Sequence, residues 1–289
     1  PLRQTGYMVP MRYTLTEKTL PVKLDEVSAA IDGIREETAY FDERISGLEE
    51  GKGTGGTNVM VSPDGVKYYL TVKSDGTLDT ICSVPRKVLV LGNSLTLGFG
   101  TFGMAASDSK HDYYYYVKEF LQKKNSNLEM SRCGASNWEG MTTSEERRIC
   151  VQGFLDSYTD GTEDLVIIQL SDNVNTDEKR ETYAEDVRTM LQMFRDGCPR
   201  ARILWVAAWY GWTLNYGPIE TACNELGVDL VDIRDLSEDA ANKNAVGNTY
   251  TKDDGIVVEI TSSGVASHPG DTGMRFIADR IIERLKSYM

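Results

Sequence analysis

Apolar residues fall along this chain in three different rhythms. Between residues 24 and 48, Leu24, Val27, Ile31, Ile34, Thr38, Phe41, Ile45 and Leu48 recur at alternating spacings of three and four. A period of about 3.5 residues describes a coiled-coil seam, narrower than the stripe of a globular helix. Leu24, Ile31, Thr38 and Ile45 take position a, and Val27, Ile34, Phe41 and Leu48 take position d. β-Branched residues at both core positions favour three strands over two, so a homotrimer is the expected assembly. The other reading is one amphipathic helix packed on its own domain.

The second rhythm is short and has period 2. After the joint Gly51-Lys52-Gly53-Thr54-Gly55-Gly56, three brief strands are expected at 58–61, 66–72 and 77–82, separated by Pro63-Asp64-Gly65 and Ser74-Asp75-Gly76. A unit this small has no core of its own and must pack on the coil, on the rest of the chain or on copies of itself.

From residue 86 the third rhythm begins. Strands are expected at 87–91, 127–131, 164–170, 202–208 and 228–232. Helical patterns occupy 112–124, 143–157, 178–195, 216–226 and 272–287. Repeated βα alternation predicts an α/β domain with a parallel sheet covered on both faces. The chain thus divides into an arm and coiled-coil helix (1–50), a linker with a small β element (51–85) and an α/β domain (86–289). The stretch from Asp235 to Gly264 is expected to wrap the rim of any site. Tyr113 to Tyr116 fan around a helix axis, half core and half surface.

Ligands of such sheets bind at the carboxyl edge. There, Val88-Leu89-Val90-Leu91 runs into Gly92-Asn93-Ser94. Ser94 either caps the helix that follows or presents a hydroxyl nucleophile. A serine needs a base, and the chain has two histidines. His111 sits in a polar stretch and is expected to face solvent. His268 is held in Ser267-His268-Pro269-Gly270 just before a helix, positioned as a general base must be.

Four segments resemble the sequence blocks of the SGNH or GDSL-like esterases and lipases: Gly92-Asn93-Ser94-Leu95, Arg132-Cys133-Gly134-Ala135-Ser136, Gln169-Leu170-Ser171-Asp172-Asn173 and His268-Pro269-Gly270-Asp271. All four stand in the family's order, and the resemblance extends over residues 86–289. The resemblance implies a flavodoxin-like five-stranded parallel sheet of order 2-1-3-4-5. It also implies catalysis by Ser94 and His268, with an oxyanion hole made by the backbone N–H groups of Ser94 and Gly134 and the side chain of Asn173. The chain departs from the pattern: the third block usually reads Gly-x-Asn-Asp, Asn93 replaces the usual Asp, and Val265 stands where an Asp three residues before the histidine is usual. A backbone carbonyl, or an acid such as Asp253 or Asp254, is then needed to orient the imidazole.

Trp209, Tyr210 and Trp212 follow a predicted strand, and Trp138 follows Gly134. These rings either bind sugar faces beside Ser94 or fill the core. The sugar reading makes an O-acetylated carbohydrate the expected substrate. The order of coil, glycine joint, small β element and enzyme domain resembles phage tail or receptor-binding proteins. That layout supports an alternative: a glycan-binding or structural virion protein whose activity is weak or lost.

Composition narrows the field. A net charge of −13 argues against nucleic acid and anionic membranes as partners. Five cysteines without paired spacing, and only two histidines, predict neither metal nor other cofactor. The thiols read as small buried apolar groups in a protein made in a reducing cytoplasm, since neither a signal-peptide pattern nor a membrane-spanning run is present.

Overall fold

The computed structural model describes residues 59–61, 67–72, 78–211 and 213–289. The coiled-coil stretch 24–48, the glycine joint and Trp212 lie outside the described residues. Strands β1 (Val59–Val61), β2 (Lys67–Val72) and β3 (Leu78–Cys82) form an antiparallel meander, at the places where period-2 alternation put them. Lys67 joins this meander to the rest: its carbonyl accepts the Ser83 N–H at 2.7 Å, and its Nζ donates to Met289 O at 3.3 Å.

The main sheet is parallel and five-stranded. Its strands are β4 (Lys87–Gly92), β5 (Glu129–Gly134), β6 (Leu165–Gln169), β7 (Arg202–Val206) and β8 (Asp229–Val231), side by side in the order β5-β4-β6-β7-β8. Counted from β4, this is the order 2-1-3-4-5 implied by the resemblance. Alternate residues face opposite layers, as a two-residue pleat requires. Leu89, Leu91, Val166, Ile168 and Trp205 join one core with α4 (Ser144–Tyr158), α6 (Tyr183–Gly197) and α7 (Thr213–Leu226). Val88, Val90, Leu165, Ile167 and Leu204 join the other, under α2 (Tyr113–Gln122) and α9 (Asp271–Lys286). Truncating a side chain such as Ile277, fully buried on α9, to Ala would cost about 2–5 kcal/mol.

Two elements differ from the sequence expectation. β5 lies later than 127–131 because it is an edge strand that leaves Glu129 and Ser131 exposed, which dilutes the apolar signal. The helix expected over 178–195 is broken into α5 (Asp177–Arg180) and α6. Outside contacts hold the short α5 in place: Arg147 donates to Lys179 O at 2.7 Å, and Arg180 Nε donates to Asn215 Oδ1 at 3.2 Å. Tyr113 and Tyr114 are buried while Tyr115 and Tyr116 are half-buried, as the fan predicts.

β4 pairs with β5 on one side and β6 on the other, so the topological switch point lies at its carboxyl end. In that row stand Gly92, Gly134 and Gln169. Gly92 admits no side chain, since a Cβ would lie 1.9 Å from Thr96 Oγ1 and 2.9 Å from Gln169 O. The segment from Asp235 onward forms two 3-10 turns and the hairpin β9 (Thr249–Thr251) and β10 (Val257–Glu259). It ties to the His268 loop through Asn244 N–H to His268 O at 3.0 Å, and to the loop after β4 through Thr251 N–H to Ser107 O at 2.7 Å.

Candidate active site

The strand-to-helix turn after β4 positions Ser94. Helix α1 (Ser94–Leu97) is capped by Asn93, whose Oδ1 accepts the Leu95 N–H at 3.1 Å. The capping role therefore falls to Asn93, and the Ser94 hydroxyl is released for other work. Ser94 Oγ lies 2.9 Å from His268 Nε2, a contact between residues 174 positions apart. For Nε2 to accept the hydroxyl proton, Nδ1 must carry the ring hydrogen.

Nδ1 faces two oxygens. Gly264 O is at 2.9 Å and Tyr210 Oη at 3.0 Å. Tyr210 Oη is also 3.0 Å from Ser267 Oγ, which donates to Gly264 O at 2.8 Å. A backbone carbonyl and a phenol thus stand where the usual Asp is missing. Asp253 interacts with Thr101 and Ser109 instead, which hold its carboxyl below the usual range. Burial pushes the His268 imidazole below its ordinary value, only partly offset by Gly264 O and the Asp172 carboxylate. A base with a lowered pKa is neutral, and so able to accept a proton, over a wider pH range.

Beneath the serine lies a polar cluster that sequence reasoning missed. Asn93, Glu139, Gln169 and Asp172 are all buried. Asn93 Nδ2 donates to Asp172 Oδ2 at 2.9 Å and to Glu139 Oε1 at 3.2 Å. Asn93 thereby gives a hydrogen to each carboxylate, where an Asp would set a third carboxylate with none to give. Asp172 also accepts from Gln169 Nε2 at 2.8 Å and from the Tyr210 N–H at 3.0 Å. Glu139, on α3 (Ser136–Gly140), accepts from Asn173 Nδ2 at 2.6 Å, from Asn173 N at 3.3 Å and from Ser171 N. Burial first, and the charge of Asp172 second, push the Glu139 carboxyl up to about 7. Burial likewise raises Asp172.

Ser171 has φ of 106°, unusual for a residue with a side chain and costing about 1–3 kcal/mol. Its neighbours enforce this conformation: Glu139 takes its N–H, Tyr183 pairs with its hydroxyl, and Asn215 donates to its carbonyl at 2.9 Å. Buried Arg147 clamps the two loops from behind, donating to Met141 O at 2.8 Å, Lys179 O at 2.7 Å and Asp186 Oδ2 at 2.6 Å. The strained turn delivers Asn173, half-buried, to the carboxyl edge.

Gly134 is exposed at the end of β5, and a Cβ there would meet nothing closer than Leu97 Cδ2 at 3.4 Å. Packing does not demand glycine at this position, unlike Gly92. The ring cluster is a correction. Trp138 and Trp209 are fully buried in opposite cores and present no face to a ligand. Trp209 instead braces the histidine loop, donating from Nε1 to Ser267 O at 3.0 Å. Tyr210 alone of the described rings reaches the site, through its hydroxyl. His111 is paired with Asp108 at 2.7 Å and is 44% exposed. Cys133, Cys150, Cys198 and Cys223 are free and buried, and no cluster suited to a metal ion occurs among the described residues.

No protein-family model matches the sequence, and no curated protein matches it. Solved structures are similar to it. One is a two-domain esterase active on acetylated mannans, at 18% identity and a TM-score of 0.46. That match covers 70% of this chain and 48% of the other, so the chain spans about half of that protein's length. A second is a carbohydrate esterase family 2 enzyme with a carbohydrate-binding domain from Corynascus thermopiles (Myceliophthora fergusii). It shows 14% identity and a TM-score of 0.46, with coverage of 79% of this chain and 74% of that one. A third, from Desulfitobacterium hafniense and assigned to the lipolytic G-D-S-L family, shows 13% identity, a TM-score of 0.41 and coverage of 69% and 99%. These neighbours are esterases and lipolytic proteins. The sheet order and the geometry around Ser94 stand without them.

Proposed function

We propose that this protein is a serine ester hydrolase of the SGNH type, with Ser94 as nucleophile and His268 as base. The observation that carries the reading is the 2.9 Å contact between Ser94 Oγ and His268 Nε2 at the switch point of the sheet. As Oγ attacks the ester carbonyl, its proton passes to Nε2, and the imidazolium keeps its Nδ1–H on Gly264 O and Tyr210 Oη. The carbonyl oxygen, now negative, takes hydrogen bonds from the Ser94 N–H, the Gly134 N–H and the Asn173 carboxamide. Nε2 then returns the proton to the departing alcohol, leaving an acyl-serine. Water repeats the sequence and frees the acid. Ser94 begins helix α1, so its N–H has no acceptor within the helix.

An O-acetylated carbohydrate is the substrate class placed first. Exposed, uncharged Ser136, Asn137 and Asn175 flank Gly134 and Asn173, which suits a hydroxylated alcohol. The acetylated substrate named for the mannan-active neighbour is of the same kind. A second reading is favoured by an apolar groove of about 500 Å³, which Gly134 lines together with Met141, Ile149, Phe154 and Tyr158. That groove suits a longer acyl chain. The test is hydrolysis of p-nitrophenyl acetate, butyrate and octanoate, alongside acetate release from an acetylated polysaccharide. Turnover by the wild type, and none by Ser94→Ala with its fold intact, is the expected result. Absence of turnover on every ester contradicts the hydrolase reading.

A further inference from the structure

Glu139 is a buried ionisable group that no reaction step uses. It sits wholly inside the protein, on a helix too short to be stable alone, and no cation among the described residues forms an ion pair with it. Its partners are four N–H groups: Asn173 Nδ2, Asn173 N, Ser171 N and Asn93 Nδ2. Three of the four belong to the strained turn that carries Asn173. An amide nitrogen has two hydrogens, so a carboxylate that holds one of them determines where the other points.

Building on the hydrolase reading, we infer that Glu139 is a positioning residue for the oxyanion site, holding the Asn173 carboxamide with its second N–H turned outward beside Ser94. Only the ionised carboxylate can do this, because it offers acceptors on both oxygens. A protonated Glu139 has a hydrogen of its own on one of them and opposes an N–H. The same holds for a glutamine, whose amide end confronts at least one of the four donors.

The groups facing Glu139 bear on its charge. Asp172 lies across the shared Asn93 amide, Tyr183 of α6 packs on the same turn, and Arg147 of α4 stands over the Trp138 ring at 5.0 Å. The Arg147 charge is taken by buried Asp186, which leaves burial first, and Asp172 second, to raise Glu139. His268 and the carboxylate cluster of Glu139 and Asp172 must therefore lose their protons before turnover. Burial lowers His268 from its ordinary value, whereas burial raises both carboxyls, Glu139 to about 7. Activity rises with pH as each deprotonates, so the cluster that Glu139 shares with Asp172, rather than His268, limits the acid side.

The experiment follows kcat for p-nitrophenyl acetate against pH in the wild type and in Glu139→Gln, with melting temperatures of both. In Glu139→Gln, kcat falls by about 10- to 100-fold with KM little changed, as expected when a transition-state donor is misaligned. Its acid limb moves to lower pH, to the value set by His268. A structural role alone would lower the melting temperature and leave the limb in place, and that result overturns the inference. The wild type gives a second readout should the variant misfold. The ring of His268, one of two histidines, is titrated by NMR and compared with the kinetic limb. A kinetic limb above the ring titration supports Glu139, and coincidence of the two overturns it. Absence of ester turnover in the wild type removes the hydrolase reading itself, an outcome distinct from an active enzyme indifferent to Glu139.

Discussion

Tyr210→Phe asks how an imidazolium is stabilised without a carboxylate. The substitution keeps the ring, its edge-on packing at 5.7 Å from the imidazole, and the backbone N–H given to Asp172. It removes one oxygen, which lies 3.0 Å from Nδ1. A hydrogen bond to a charged group is worth about 1.5–3 kcal/mol, but here Gly264 O at 2.9 Å shares the same hydrogen and remains. The loss is then about 1–1.5 kcal/mol of transition-state stabilisation, or roughly a 5- to 15-fold drop in kcat. Steady-state hydrolysis of p-nitrophenyl acetate measures it, with a melting curve to show that the fold is intact. An unchanged kcat would mean that Gly264 O alone serves the ring. A loss of about 10⁴-fold, the size expected for a triad carboxylate, would mean that the phenol carries the charge.

Three further variants probe the strand ends and the polar cluster beneath Ser94. Gly134→Ala should fold as stably as the wild type, within about 0.5 kcal/mol, yet lose at least about tenfold in kcat/KM, because the new methyl meets only Leu97 in the free protein but crowds the bound ester. Gly92→Ala should instead unfold at lower temperature, since its Cβ collides with Thr96 and the Gln169 carbonyl; equal behaviour of the two variants in calorimetry would refute the distinction. Asn93→Asp sets a third buried carboxylate against Glu139 and Asp172, costing about 3 kcal/mol and roughly 6–12 °C in Tm at neutral pH, with recovery as the pH falls and the cluster takes up a proton. A Tm that does not respond to pH would remove charge as the cause.

The parts of the fold that could be read from the sequence share a physical property: they are written in consecutive residues. The buried run of β4, the turn Gly92-Asn93-Ser94 and the Pro-held His268 are local patterns, and the structure places them at one edge of the sheet. One of the two oxygens facing His268 Nδ1 is the Gly264 carbonyl, and a carbonyl leaves no mark on the sequence. Glu139 was hidden by its setting, since Asn137-Trp138-Glu139-Gly140 draws attention to its aromatic ring. Trp138 and Trp209 sit at the carboxyl edge as expected, but which way a ring turns there depends on the helices that cover it. β5 was displaced because an edge strand exposes polar residues that a central strand does not. One signal was available: an Asn in the place of an Asp implies acids around it, and two are there.

Hydrolysis at this site requires Ser94 to be a nucleophile activated by His268. Incubation with a fluorophosphonate, followed by peptide mass spectrometry, tests this without any assumption about substrate. The reagent should add to one serine, Ser94, and the adduct should disappear in Ser94→Ala and form far more slowly in His268→Ala. A wild-type protein that takes up no label at Ser94, or labels equally fast without His268, would contradict the account.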